Sequence, residues 1–282
     1  MSPTRRTALV GAAALGLAGA APSSAGPLSA NRVVSLNPCL DAILVAVAEP
    51  GQIAALSHYS RQPMASSVGE AAKRFAFTYE TAEEVIALSP DLVLASRHSS
   101  LATRQALARL GVEVAVFTTP DSVAESLAQV RRIAGLVGQA GRAEALIARI
   151  EAALAAAAPP PGAQRPSALV YQRQGFASGP GTLMDELMRR TGFRNAAVDY
   201  GARQTTNIPL DLVVARPPDV LLSGQVMPGA PTWGERTMRH PALSRLRGRV
   251  RMVSFPEHLM YCGGPNLIVA ARRLAAARRG LA

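Results

Sequence analysis

The run Glu83-Glu84-Val85-Ile86-Ala87-Leu88-Ser89-Pro90-Asp91-Leu92-Val93-Leu94 decides the fold, because the chain writes it twice. The second copy is Asp211-Leu212-Val213-Val214-Ala215-Arg216-Pro217-Pro218-Asp219-Val220-Leu221-Leu222. Each begins with apolar residues at helical spacing, turns at Pro-Asp and continues as an unbroken apolar strand. Proline ends the helix by disfavouring the helical conformation of the residue before it. An unbroken apolar strand is buried on both faces, the pattern of a parallel sheet covered by helices. A second echo follows in register. Ala106-Leu107-Ala108-Arg109-Leu110 leads into a strand from Val112 to Phe117, and Ala242-Leu243-Ser244-Arg245-Leu246 into one from Val250 to Phe255. Two ordered matches at similar separation mark an internal repeat, so each half is expected to be its own α/β lobe.

Outward from the repeat, residues 32–36 read as the strand that opens the first lobe and 168–171 as the strand that opens the second. Between them, 139–158 carries Ala, Leu, Ile, Glu and Arg at helical spacing, and Pro159-Pro160-Pro161-Gly162 stops it. Ala and Leu are strong helix formers. The expected fold is α/β: two Rossmann-like lobes with mostly parallel sheets joined by a single long helix. The expected boundaries are a signal peptide over 1–30, an N-terminal lobe over 31–138, an inter-lobe helix over 139–160 and a C-terminal lobe over 161–282. A single helical spine is stiffer than several crossing strands and predicts small hinge motion. Ligands of open α/β sheets gather at the carboxyl ends of the strands. Two facing lobes turn those ends into a cleft.

The first residues read as an export signal. Arg5-Arg6 is a positive n-region, Ala8 to Ala21 is apolar, and small residues surround Ser23-Ser24-Ala25 and Ser29-Ala30. This apolar run is shorter than the ~20 residues that span a bilayer. Thr4-Arg5-Arg6-Thr7-Ala8-Leu9 is similar to a twin-arginine signal, with Ala8 in the usual Phe position, so Sec and Tat export both stay open. No cysteine near the cleavage region marks a lipoprotein anchor. A periplasmic protein is expected.

Composition narrows the function classes. The 282 residues are 49% hydrophobic and 17% charged, as in a folded globular protein. The net charge of +11, from 30 basic and 19 acidic residues, invites a nucleic-acid reading. Yet Lys73 is the only lysine, the arginines are scattered, aromatics make up 4%, and no nucleic-acid motif is present. A secreted hydrolase finds little support either. Ser178, in Phe176-Ala177-Ser178-Gly179-Pro180, lacks the first glycine of a nucleophile elbow. Neither a phosphate loop nor a dinucleotide fingerprint occurs. Cys39 with His58 or His98 is the remaining imaginable nucleophile and base, and nothing in the sequence fixes their geometry. The chain is read as non-enzymatic, with no cofactor.

Three segments carry a family resemblance: Arg32-Val33-Val34-Ser35-Leu36-Asn37-Pro38-Cys39-Leu40-Asp41, then Glu83 to Leu94, then Val170 to Gly181. They resemble the periplasmic substrate-binding proteins of ABC importers, in the branch that carries ferric siderophores and vitamin B12. Cys262-Gly263-Gly264-Pro265 is similar to a late segment in one subgroup. The resemblance runs in order over about residues 31–280. It implies the class III binding-protein fold, a monomer, capture of a small ligand between the lobes, and delivery to a dimeric permease in the inner membrane. A ferric siderophore is expected first, cobalamin second and haem third. Free-metal capture is a further alternative, because His58, His98, His240 and His258 offer imidazoles.

Residues just past the strand ends are the expected ligand contacts: Asn37, Tyr59, Arg61, Arg97, His98, Tyr171, Gln172, Arg173 and Tyr261, with Trp233 in a polar Pro/Gly-rich stretch. Planar ligands stack on Tyr and Trp, and anionic chelates pair with Arg. About half of these are expected to be ordinary loop residues. Glu83, Glu84 and Asp211 occupy matching helix starts of the repeat. Acids there are favourable against the helix dipole in any case. The resemblance adds a second role, pairing with permease arginines on two equivalent knobs. Cys39 and Cys262 are the only cysteines. In an oxidising compartment they are free to bond, and two separate buried thiols are the alternative.

Overall fold

A computed structural model describes residues 29–224, 240–246 and 248–281. The repeat becomes two parallel sheets. The first holds β1 (Val33–Ser35), β2 (Ile53–Ser57), β3 (Ala76–Thr78), β4 (Leu92–Ser96) and β5 (Glu113–Phe117) in the order β3-β2-β1-β4-β5. The second holds β6 (Ser167–Val170), β8 (Arg194–Asn195), β10 (Val220–Ser223) and β11 (Arg251–Ser254) in the order β11-β10-β6-β8. All neighbours in both sheets run parallel. Strands β7 (Phe176–Ser178) and β9 (Thr205–Asn207) form a separate antiparallel pair.

Among the described residues the α-helices are α1 (Pro38–Val47), α2 (Ala82–Ala87), α3 (Leu101–Arg109), α4 (Val123–Leu136), α5 (Ala140–Ala157), α6 (Leu183–Arg190), α7 (Leu210–Ala215), α8 (Pro241–Ser244), α9 (His258–Tyr261) and α10 (Asn266–Arg279). Among the described residues none is long and apolar enough to cross a membrane. The expected spine is α5, which follows the first sheet in the chain, precedes the second, and packs against α1, α4 and α10.

The two copies of the repeat land on equivalent strands. β4 lies between β1 and β5, and β10 between β6 and β11. The Pro-Asp turn does more than end a helix. The carboxylate of Asp91 accepts from the backbone N–H groups of Asn31 and Arg32 at 3.0 and 2.9 Å, at the start of β1. Asp219 accepts from the backbone N–H and the hydroxyl of Ser167, both at 2.7 Å, at the start of β6. Each aspartate thus stitches its own strand to the strand beside it.

Burial on both faces is visible residue by residue. Val33, Leu92 and Leu94 join one apolar cluster, while Val34, Val93 and Ala95 face the other way into a second. In the other half Ala168, Val170, Val220 and Leu222 belong to the first cluster, and Leu169 and Leu221 to a third. This is the two-residue period of a strand with apolar residues at every position. The shared cluster also takes in Ile43, Ile147, Ile150 and Leu274, so one core runs from sheet to sheet past α5.

Candidate functional site

A cleft of about 890 Å³ opens where the carboxyl ends of the two sheets face each other. That is near the top of the roughly 300–1,000 Å³ usual for small-molecule sites. Of the expected contacts, Asn37, Tyr59, His98, Arg173 and Tyr261 line it. Asn37 owes its place to capping: its side-chain oxygen accepts from the N–H groups of Cys39 and Leu40 at 2.9 and 3.3 Å, which starts α1 at the cleft wall. Tyr59 follows β2, and its ring lies 3.9 Å from that of His58. Tyr79 continues the aromatic ledge, 5.1 Å from His58 and edge-on to Phe77.

Four expected contacts stand elsewhere. Arg61 turns away, with its guanidinium over the Phe77 ring at 4.4 Å and a hydrogen bond to the Phe75 carbonyl. Arg97 is exposed but does not line the cleft; its backbone is engaged instead, with Phe117 and with Arg104. Tyr171 is fully buried, and its hydroxyl donates to the Ile208 carbonyl at 3.0 Å. Gln172 is buried too, and donates to the Phe255 carbonyl at 3.1 Å. The physical reason for the last two is that the ladder outlasts β6: the Tyr171 N–H still donates to Leu222. Trp233 lies outside the described residues, as does the signal segment up to residue 28.

Residues not anticipated complete the walls. Phe117 ends β5 and Thr118 to Asp121 follow it, Met64 comes from the segment after β2, and Glu80 and Glu257 bring carboxylates. The β5 set obeys the same strand-end rule that found Asn37. Met64 and Glu80 gave no sequence signal of their own.

Two acids set the electrostatics beside the cleft. Asp41, on the first turn of α1, is fully buried. Desolvation pushes its pKa up to about 7, against the pull of hydrogen bonds from Ser35 and Ser57, the latter donating at 2.6 Å. Glu80 is also raised to about 7, by burial. The hydroxyl of Tyr261 is pushed up to about 12, chiefly by burial and then by the nearby Glu257 charge. Burial likewise lowers His258. Among the described residues no group of three or more His, Cys, Asp or Glu is placed to hold a metal ion.

The halves that form the cleft are tied at several points. Cys39 and Cys262 form a disulfide. The Gly264 N–H donates to the Ser126 hydroxyl at 2.7 Å. The carboxylate of Glu186, on α6, accepts from the Val123 N–H at 2.8 Å and so caps α4 from the other half. Nδ1 of His258 lies 3.1 Å from the Met64 carbonyl, across the cleft wall.

Glu83 and Asp211 are exposed at the starts of α2 and α7, the matching positions of the repeat. Glu84 differs, because its carboxylate accepts from the Tyr79 N–H and the Thr78 hydroxyl at 2.7 and 2.8 Å.

A profile of the periplasmic binding protein family matches residues 33–247. A cobalamin-binding protein of Halobacterium salinarum is 26% identical over 197 residues, 68% of this chain and 53% of that protein. The chain thus spans about half the length of the curated relatives it matches. The periplasmic heme-binding protein RhuT from Roseiflexus sp. RS-1, in apo form, superposes with a TM-score of 0.67 at 23% identity, covering 88% of this chain and 99% of that one. The periplasmic heme-binding protein BhuT in complex with two hemes gives 0.68 at 25% identity, with the same coverage.

Proposed function

We propose that this chain, which belongs to the periplasmic binding protein family, captures a metal-centred macrocycle or chelate in its cleft and hands it to an ABC permease. The observation that carries the proposal is the cleft itself: a large opening, lined with aromatic and hydroxyl groups, between the carboxyl ends of two repeated sheets. A stiff helix and several cross-ties hold its walls in place, which suits capture better than turnover.

A corrinoid is the ligand this reading puts first. The matched curated relative is named for cobalamin, and Tyr59, Phe117, Phe176 and Tyr261 give the cleft aromatic surface for a broad planar ring. Haem comes second, on the names of the solved neighbours. The ferric siderophore moves to third. Its support was cationic side chains, and of Arg61, Arg97 and Arg173 only Arg173 lines the cleft, already paired with Glu257.

For delivery, Glu83 and Asp211 are the paired acids proposed to meet the permease, one on each half. Glu84, exposed beside Glu83, is proposed as a third docking acid, with one of its oxygens, Oε2, already accepting two internal hydrogen bonds. Isothermal calorimetry of the mature protein with cyanocobalamin, haemin, ferrioxamine B and ferric citrate tests the ligand reading. Saturable one-to-one binding of one of them at micromolar concentration or tighter is expected. A folded protein that binds none of the four overturns it.

A further inference from the structure

The chain carries a net charge of +11, yet the described lining of its cleft does not share that sign. Among the described lining residues the carboxylates are Glu80, Asp121 and Glu257, and the one guanidinium is Arg173. Arg173 and Glu257 form an ion pair at 2.6 Å and largely answer each other. Asp121 and Glu80 remain.

Glu80 is the unusual one. Its backbone is held at φ +73°, a left-handed conformation that glycine or asparagine adopts far more readily. The Thr78 hydroxyl accepts from the Glu80 N–H at 2.9 Å and fixes the turn. The turn keeps a carboxylate against the cleft wall. One of its oxygens, Oε1, is buried without a hydrogen-bond partner. Nδ1 of His58 stands 3.9 Å from that oxygen and is itself buried without one. Residues held in sparsely populated backbone conformations cluster at ligand clamps. A buried carboxylate without a counter-charge is costly to ionise, and an adjacent cation relieves that cost.

We infer that the cleft selects a ligand presenting positive charge to Glu80: a cationic metal complex, in preference to one of the same size bearing free carboxylates. This rests on the cleft being the ligand site. Among the described lining residues an anion meets Glu80 past one edge strand of the first sheet and Asp121 past the other, and the one guanidinium, Arg173, is paired with Glu257. A cation supplies the close partner that Oε1 of Glu80 lacks, the His58 imidazole standing 3.9 Å away.

The same geometry links capture to protons. Glu80 is faced by His58 from the segment after β2 and is coupled electrostatically to Asp41 on α1, with Asp121, Glu257 and Arg173 around the cleft. Burial holds the Glu80 carboxyl up to about 7. A cation that binds beside it draws the proton off. Affinity for a cationic ligand therefore rises as pH climbs to about 7 and levels off above it, with proton release that approaches one per ligand only below that pH.

Matched pairs of opposite charge test the inference without presuming the ligand class. One pair is ferrioxamine B, with its terminal ammonium, and N-succinyl ferrioxamine B, which ends in a carboxylate. The other is aquacobalamin, a cation, and cyanocobalamin monocarboxylate, an anion, with neutral cyanocobalamin as the reference between them. In the series that binds, calorimetry at pH 7.5 is expected to show the cationic member roughly tenfold tighter, about 1.4 kcal/mol. Glu80→Gln is expected to bring the two members of a pair close together. Equal or tighter binding of the anionic member overturns the inference, and the wild-type ratio alone decides this if the variant fails to fold. That outcome leaves the ligand-binding reading intact. Only absence of binding across both pairs, cyanocobalamin and haemin removes both.

Discussion

Cys39 and Cys262, 223 positions apart in the chain, are joined by a disulfide at the edge of the cleft. Cys39 sits on the first turn of α1 and lines the cleft, and Cys262 directly follows α9. The bond closes a loop that contains most of the chain. Its stabilisation comes mainly from constraining the unfolded ensemble, typically by about 2–4 kcal/mol. The unreduced native protein is therefore expected to show no titratable thiol. The double variant Cys39→Ser/Cys262→Ser should unfold at lower urea concentration, with a loss of about 2–4 kcal/mol. Two free thiols per unreduced chain would contradict the pairing.

The segment after Cys262 is seated too tightly for side chains. A Cβ on Gly263 would collide with Ser126 and press on Pro120, and one on Gly264, at φ +59°, would collide with Ile43. Gly263→Ala is expected to cost about 1–3 kcal/mol by overpacking. Urea unfolding measures this directly. A neutral substitution would mean the Cys262-Gly263-Gly264 segment is not wedged between α1 and α4.

Stability should fall as pH rises through neutrality. Asp41 and Glu80 titrate near 3.8 and 4.5 when unperturbed and are both raised to about 7 in the fold. The folded state therefore binds more protons than the unfolded state between those values. The contribution is fully present below about pH 4 and is lost as pH climbs through about 7. Unfolding midpoints in urea at pH 5, 6, 7 and 8 should decline, and Asp41→Asn should flatten the slope. An unchanged slope in that variant would show that Asp41 does not titrate in this window.

Reversing the paired acids should separate capture from delivery. Glu83→Arg with Asp211→Arg is expected to leave ligand affinity unchanged in calorimetry and to abolish ligand uptake by the cells that make the protein. The single variant Glu84→Ala should instead lower stability, because Glu84 holds the Tyr79 N–H and the Thr78 hydroxyl. Uptake that survives the double reversal would remove these residues from the docking surface.

The repeat made the sheets legible because both copies carry the full local grammar of helix, Pro-Asp turn and buried strand. What it did not disclose was the job of Asp91 and Asp219, since side chain to backbone stitches are formed by residues about sixty and fifty positions apart. The cleft was legible where a strand ended where its sequence said. Asn37 and His98 obey this rule, and so do Thr118 to Asp121 past the strand that ends at Phe117. Tyr171 and Gln172 misled because hydrogen bonding continues past Val170. Arg61 misled because a neighbouring aromatic ring competes for its guanidinium. Glu80 was hidden for a different reason. A left-handed turn is announced by glycine or asparagine, and here the residue in that conformation is a glutamate.

The cross-ties between the halves have a consequence for how the protein meets its ligand. With α4 capped by Glu186 and α1 bonded to Cys262, the walls are set before anything arrives. Such a site behaves as a socket more than as a pair of jaws. Little ordering entropy is lost on capture, so shape and charge already in place govern the choice of ligand. Under the proposed capture role, release is then the harder step, and a partner docked on the rim would have to open the socket.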